Sequence, residues 1–123
     1  VVDYIIVPDE KGQIAKKLLY FSDQRQVDLV FTTGGTGFSK RDVTPEATKQ
    51  VVEREVPGIG EALRAYSLTI TPKAMLSRQT AGIRGNTLII NLPGSPKACK
   101  ENIEYIMTPL KHGLGILSGR ETN

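Results

Sequence analysis

The run Thr32-Thr33-Gly34-Gly35-Thr36-Gly37 sets three glycines among hydroxyl side chains, and Lys40, Arg41 and Asp42 follow directly after Phe38 and Ser39. Glycine takes positive φ without steric cost, so such a run can turn its N–H groups toward one point with no side chain in the way. Thr32, Thr33 and Thr36 add hydroxyl donors, and Lys40 and Arg41 supply positive charge suited to a polyphosphate or a second anion. A P-loop would need GxxxxGK[ST] and a dinucleotide fingerprint GxGxxG; neither is present. The loop alone therefore reads two ways, as a phosphate cradle or as a tight strand-to-helix turn.

Carboxylates tilt the choice. Asp42 closes the loop and Asp9 ends a preceding apolar run, so the two can converge on one phosphate site and hold Mg²⁺, which takes a few carboxylate oxygens together with substrate phosphates and water. Taken singly, each would be a helix cap or the partner of a cation such as Arg41. Ser77-Arg78 pairs a hydroxyl with a guanidinium, a combination suited to a phosphate monoester. Asn91-Leu92-Pro93-Gly94-Ser95-Pro96 offers open backbone at Gly94 and a helix start at Ser95, where free N–H groups can face an anion or simply be capped. His112 has no acidic or cysteine partner nearby in sequence and reads as a surface residue; Cys99 reads as a small hydrophobe.

Those residues need strands and helices to position them. Val1–Val7 is apolar and β-branched, the pattern of a buried strand, and Asp9 stands where it can cap a helix running from Glu10 to about Gln26. Asp28–Thr33 is a second strand leading into the glycine loop. Thr44 as N-cap and Pro45 in first position open a helix that Pro57-Gly58 stops. A short helix over Gly58–Ser67 and a short strand over Ser67–Pro72 follow. Thr87–Leu92 is a further strand, and Ser95-Pro96 opens a helix to about Met107, where Pro109 breaks or kinks it. Alternating strands and helices predict an α/β domain with a largely parallel sheet, and ligands in such sheets bind beyond the carboxyl ends of the strands. The loops at Asp9, Gly34–Gly37 and Asn91–Ser95 stand at such ends.

Composition fits one domain. With 123 residues, 39% of them hydrophobic, the chain can bury one modest core. Sixteen basic against 13 acidic residues give a formal charge of +3. Without a run of Lys and Arg or an array of aromatics, that excess does not point to nucleic acid. One cysteine excludes an internal disulfide and fits a reducing, cytoplasmic setting. No apolar run approaches the roughly 20 residues that span a bilayer.

In this order and spacing, "TTGGTG", "RDVTPEAT", the "PG" after that helix, "MLSR", "GIRG" and "LIINLPGSP" closely resemble the molybdopterin adenylyltransferases. That is the MogA family, which includes the G domain of gephyrin; the MoaB proteins are related. The resemblance implies a three-layer α/β/α sandwich that works as a homotrimer. It further implies Mg²⁺-dependent adenylylation of molybdopterin by ATP with release of pyrophosphate, ahead of a partner protein that inserts molybdenum. By motif position, Asp9 and Asp42 match the catalytic, magnesium-associated aspartates, and Gly34, Gly35, Thr36 and Gly37 match the nucleotide-phosphate loop. Asn91, Pro93 and Gly94 match the loop bordering the nucleotide, and Ser67, Ser77 and Arg78 match positions around the pterin and its phosphate. Family members also begin with a strand, a "VSDR"-like loop and a helix ahead of the segment at Val1, about a third of a domain that this chain is expected to lack. The alternative is a binding or trimeric scaffold domain without turnover.

Overall fold

The computed structural model describes residues 3–121. In chain order its elements are α1 (Lys11–Leu19, extended by a π turn over Tyr20–Gln24), β1 (Leu29–Thr33), α2 (Thr44–Val51), β2 (Arg54–Glu55) and α3 (Pro57–Leu68). A 3₁₀ turn (Pro72–Leu76), β3 (Ala81–Arg84), β4 (Thr87–Leu92) and α4 (Pro96–Leu117) complete the order. The four strands form one sheet in the order β1-β4-β3-β2.

β4 organises the layers because side chains alternate across a strand. Leu88, Ile90 and Leu92 pack with Leu63 of α3 and with Ile106 and Leu110 of α4. Ile89 turns the other way, onto Ile14, Ala15 and Leu18 of α1 and Ala47 and Val51 of α2. Helices thus cover both faces, the three-layer α/β/α arrangement expected. All six β4 residues are buried, which explains why Leu88–Ile90 is apolar without alternation.

The sheet itself is mixed. Only β1 and β4 run parallel, whereas β3 pairs antiparallel with both β4 and β2. β3 and β4 are joined by the two residues Gly85 and Asn86, with Gly85 at φ +58°, and a connection that tight can only reverse the chain.

Several expected boundaries move. The strand read over Val1–Val7 makes no ladder among the described residues, Val1 and Val2 lying outside them. Asp3–Val7 instead faces β1 across a groove of about 770 Å³, and extended, β-prone backbone becomes a strand only when a partner lies about 4.8 Å away. The helix at Thr44 ends at Val51 rather than at Pro57, because Glu53 and Val56 donate their N–H groups to Ile83 and Ala81 and the edge of β3 captures the segment as β2. Pro57-Gly58, read as a stop, opens α3, consistent with proline's place at a first helical position. Ser67–Pro72 is not a strand: it is the end of α3 and a turn, after which the Thr71 hydroxyl caps the 3₁₀ turn. Pro109 does not break α4, which runs through to Leu117. It sits on the exposed face, where the carbonyl it leaves without a donor can turn to solvent.

Candidate active site

The parallel pairing sets Thr33 against Leu92, so the loops that follow β1 and β4 leave the sheet side by side. The Gly34 N–H donates to Leu92 O at 3.0 Å, and a Cβ on Gly94 would lie 3.3 Å from Gly34 Cα. Glycine at both positions lets the two backbones touch. Gly34 and Gly35 hold φ of +83° and +72°, the left-handed region. A Cβ on Gly35 would overlap the Thr44 hydroxyl, while Gly35 O accepts from the Thr44 N–H at 3.1 Å. Gly35→Ala is therefore expected to cost at least ~2 kcal/mol, from left-handed strain plus the clash. Gly58→Ala, with open space around it in α3, should be neutral or mildly stabilising. Urea midpoints of the two variants check this, and equal midpoints would contradict it.

Carbonyls of the loop are spent while three of its amides are not. Arg78 gathers the loop from below: its N–H donates to Thr36 O at 2.8 Å, its Nε to Gly37 O at 2.8 Å, its Nη2 to Asp42 O and its Nη1 to Glu46 of α2. Among the described residues, no carbonyl or side chain accepts from the N–H groups of Gly35, Thr36 or Gly37. With Gly35 O held by the Thr44 N–H and Thr36 O and Gly37 O held by Arg78, the loop keeps those three donors free, as an anion cradle requires. The Arg78 bond holds the Glu46 carboxyl below its ordinary range, against a smaller opposing effect of burial.

The two aspartates flank this loop. Asp42 Oδ2 accepts from the Ser39 N–H at 2.9 Å and rests in the space that Gly37 leaves free of a side chain. Asp9 Oδ2 pairs with Arg41 at 3.4 Å rather than capping α1, whose N-cap is Glu10 without a side-chain bond. Asp9 also lines the groove shared with Thr32, Thr33, Gly34 and Thr44. Each carboxylate leaves its Oδ1 free of hydrogen bonds among the described residues.

Other expected residues lie around and beneath the loop. Gly94 and Ser95 are exposed, and the Ser95 hydroxyl caps α4 by accepting from the Ala98 N–H at 3.4 Å. Asn91 is wholly buried, so its side chain acts from below instead of on a ligand. Its amide donates to Thr32 Oγ1 at 3.0 Å and Thr48 Oγ1 at 2.9 Å, and accepts from the Thr80 N–H. Ser77 and Ser67 sit farther along, at the end of the 3₁₀ turn and near the end of α3. Gln79, Asn102, Thr48 and Glu46 were not singled out from the sequence. Apart from the Ser77 hydroxyl beside Gln79, their partners lie 12 to 43 residues away, so only a fold makes them legible. Among the described residues no group of three or more His, Cys, Asp or Glu side chains gathers.

An α/β/α sandwich with paired glycine loops beyond a parallel strand pair puts its candidate site where open α/β sheets bind their ligands. The family can be stated as well: residues 1–112 match the model of the probable molybdopterin binding domain, and the chain belongs to that family. It is 49% identical over 116 residues to a molybdopterin adenylyltransferase of Helicobacter pylori, covering 94% of this chain and 66% of that protein. It is 46% identical to gephyrin of Dictyostelium discoideum, covering 95% of this chain and 16% of that protein. The crystal structure of the molybdopterin biosynthesis enzyme MoaB of Thermus thermophilus superposes with a TM-score of 0.90 at 49% identity, covering 97% of this chain and 75% of that one. The chain spans about two thirds or less of the curated relatives it matches.

Proposed function

We propose that this domain belongs to molybdenum cofactor biosynthesis and transfers the adenylyl group of ATP to the terminal phosphate of molybdopterin. The observation that carries the reading is the trio of unspent N–H groups at Gly35, Thr36 and Gly37, flanked by Asp9 and Asp42. The names of relatives near 50% identity support it. A pterin phosphate oxygen forms a bond to the α-phosphorus of ATP, the α–β phosphoanhydride bond breaks, and pyrophosphate leaves with the electron pair. Two anions must approach one another, so the cradle's amides and the nearby cations Lys40 and Arg41 have to offset their repulsion and hold the triphosphate for displacement. A phosphate monoester is largely ionised at neutral pH, so the attacking group needs no general base. His112, exposed and 3.4 Å from Glu121 near the end of α4, has no part in this scheme.

Mg²⁺ fits the residues present, because Asp9 and Asp42 each retain a free oxygen beside a phosphate cradle and the ion's remaining ligands come from substrate and water. Bound there, it would neutralise charge on the triphosphate. Around the far end of α3, Leu68, Ile70, Met75 and Leu76 are exposed. An uncovered apolar surface of this kind supports assembly with further copies of the chain, a homotrimer in this reading, with the product passed to a molybdenum-inserting protein in the cytoplasm. No helix among the described residues is long and apolar enough to cross a membrane.

Incubation with ATP, Mg²⁺ and molybdopterin, with pyrophosphate as the readout, tests the reading. This polypeptide should be run beside one extended to the length of the relatives it matches. Stoichiometric pyrophosphate is expected from the extended protein. Substrate binding without pyrophosphate in both would replace the transferase with a binding or scaffold domain.

A further inference from the structure

Beneath the site runs a chain of buried side-chain amides that joins Ser67 and Ser77 to Asn91, at the root of the loop after β4. Gln79 is its hub and is 2% exposed. Its Nε2 donates to Asn91 O at 2.9 Å and to Asn102 Oδ1 at 3.3 Å, while its Oε1 accepts from the Ser77 hydroxyl at 3.1 Å. Asn102, 1% exposed, donates in turn to Ser67 Oγ at 3.1 Å. One amide thus fixes the hydroxyl of Ser77, through Asn102 the hydroxyl of Ser67, and the main chain of Asn91 at the root of the Pro93-Gly94 loop. The residue is itself held in place. Arg64 of α3 donates to Gln79 O at 2.6 Å, and a Cβ on Gly60 would come within 2.7 Å of that oxygen, so α3 approaches closely only because Gly60 is bare.

The wiring assigns orientation as well. With its proton on Gln79 Oε1 and one lone pair taken by the Gln79 N–H at 3.3 Å, the Ser77 hydroxyl has a single remaining lone pair. To donate to a phosphate oxygen it must release Gln79. Low-dielectric surroundings make such a network costly to leave half-made, so its members keep one arrangement.

We infer that Gln79 is a positioning residue: acting through Ser77, Asn102 and Asn91, it holds the two hydroxyls on the pterin side in register with the glycine loops on the nucleotide side. This rests on the transferase reading above and adds that the two substrate sites are joined through one buried side chain. Gln79→Met keeps the length of the side chain and removes all three of its hydrogen bonds. Gln79→Glu keeps an acceptor for Ser77 and removes both donations. Each should raise the KM for molybdopterin about tenfold or more and lower kcat as well, because misregister reaches the reacting centre. Val51→Ala, which thins the core between α1 and α2 on the other face of the sheet, serves as a control of comparable instability and should leave both KM values unchanged.

The outcomes separate cleanly. All variants are made in the extended protein; no pyrophosphate from its unsubstituted form overturns the transferase reading, and this inference with it. Normal turnover by the unsubstituted protein, with unchanged KM and kcat in whichever Gln79 variants fold, overturns the positioning role alone. The same holds if the KM changes of Gln79→Met are matched by Val51→Ala. If neither Gln79 variant folds, Asn102→Ala reads the Ser67 branch, and an unshifted molybdopterin KM there counts against the inference.

Discussion

Asp42→Asn is expected to lower pyrophosphate release about a hundredfold or more while leaving the melting temperature within a degree or two, the scale seen when one preorganised charge contact is removed. The local geometry makes this substitution selective. Asp42 Oδ2 accepts the Ser39 N–H, and an asparagine side-chain oxygen can accept the same hydrogen bond in the same space beside Gly37. What disappears is the negative charge. If the carboxylate only capped the loop, the variant would turn over normally, and the charge would have no part in the reaction. Parallel rate and thermal-melt measurements separate the two.

Arg78→Lys is expected to raise the KM for ATP roughly tenfold and to lower the melting temperature on the order of 5 °C. An ammonium group cannot reproduce a planar fork that reaches Gly37 O, Asp42 O and Glu46 at once. The backbone donation to Thr36 O survives, so the loop loosens without being lost. A pH dependence follows from the same contact. Arg78 holds the folded-state pKa of Glu46 below its ordinary value of 4.5, so this stabilisation is fully present above that value and is lost as pH falls through the lower folded one. Glu46 is about half exposed, so solvent screening keeps the effect small. Glu46→Gln should flatten that acid limb of the stability curve and leave stability at neutral pH only slightly reduced. An acid limb unchanged in Glu46→Gln would show that the pair contributes nothing.

The legible part of this protein is the part written in local pattern. Residues 87–92 read as a buried strand because every side chain there is buried, and the glycines after Thr33 announced a loop that needs positive φ. Ser95-Pro96 announced α4 through its cap. β3 escaped because Ala81–Arg84 carries a glycine and an arginine and owes its pairing to the hairpin at Gly85. β2 escaped because Arg54 and Glu55 have no strand character and are held by Ile83 and Gly82. At the site, the glycines and both aspartates could be chosen by residue type and position. The role of Arg78 could not: a serine-arginine pair suggests a phosphate, but its guanidinium reaches carbonyls 36 and 41 residues back. Asn91 illustrates the same limit. Its position at a strand end was visible, while its complete burial depends on Thr32 and Thr48 lying beneath it.

A triphosphate held by main-chain donors is the core of the account, and backbone amide resonances report on it directly. Titration of ¹⁵N-labelled protein with ATP and Mg²⁺ should move the signals of Gly35, Thr36 and Gly37 more than any others, saturating together with a single dissociation constant. Saturable ATP binding that leaves those three signals in place would put the nucleotide elsewhere and contradict the account.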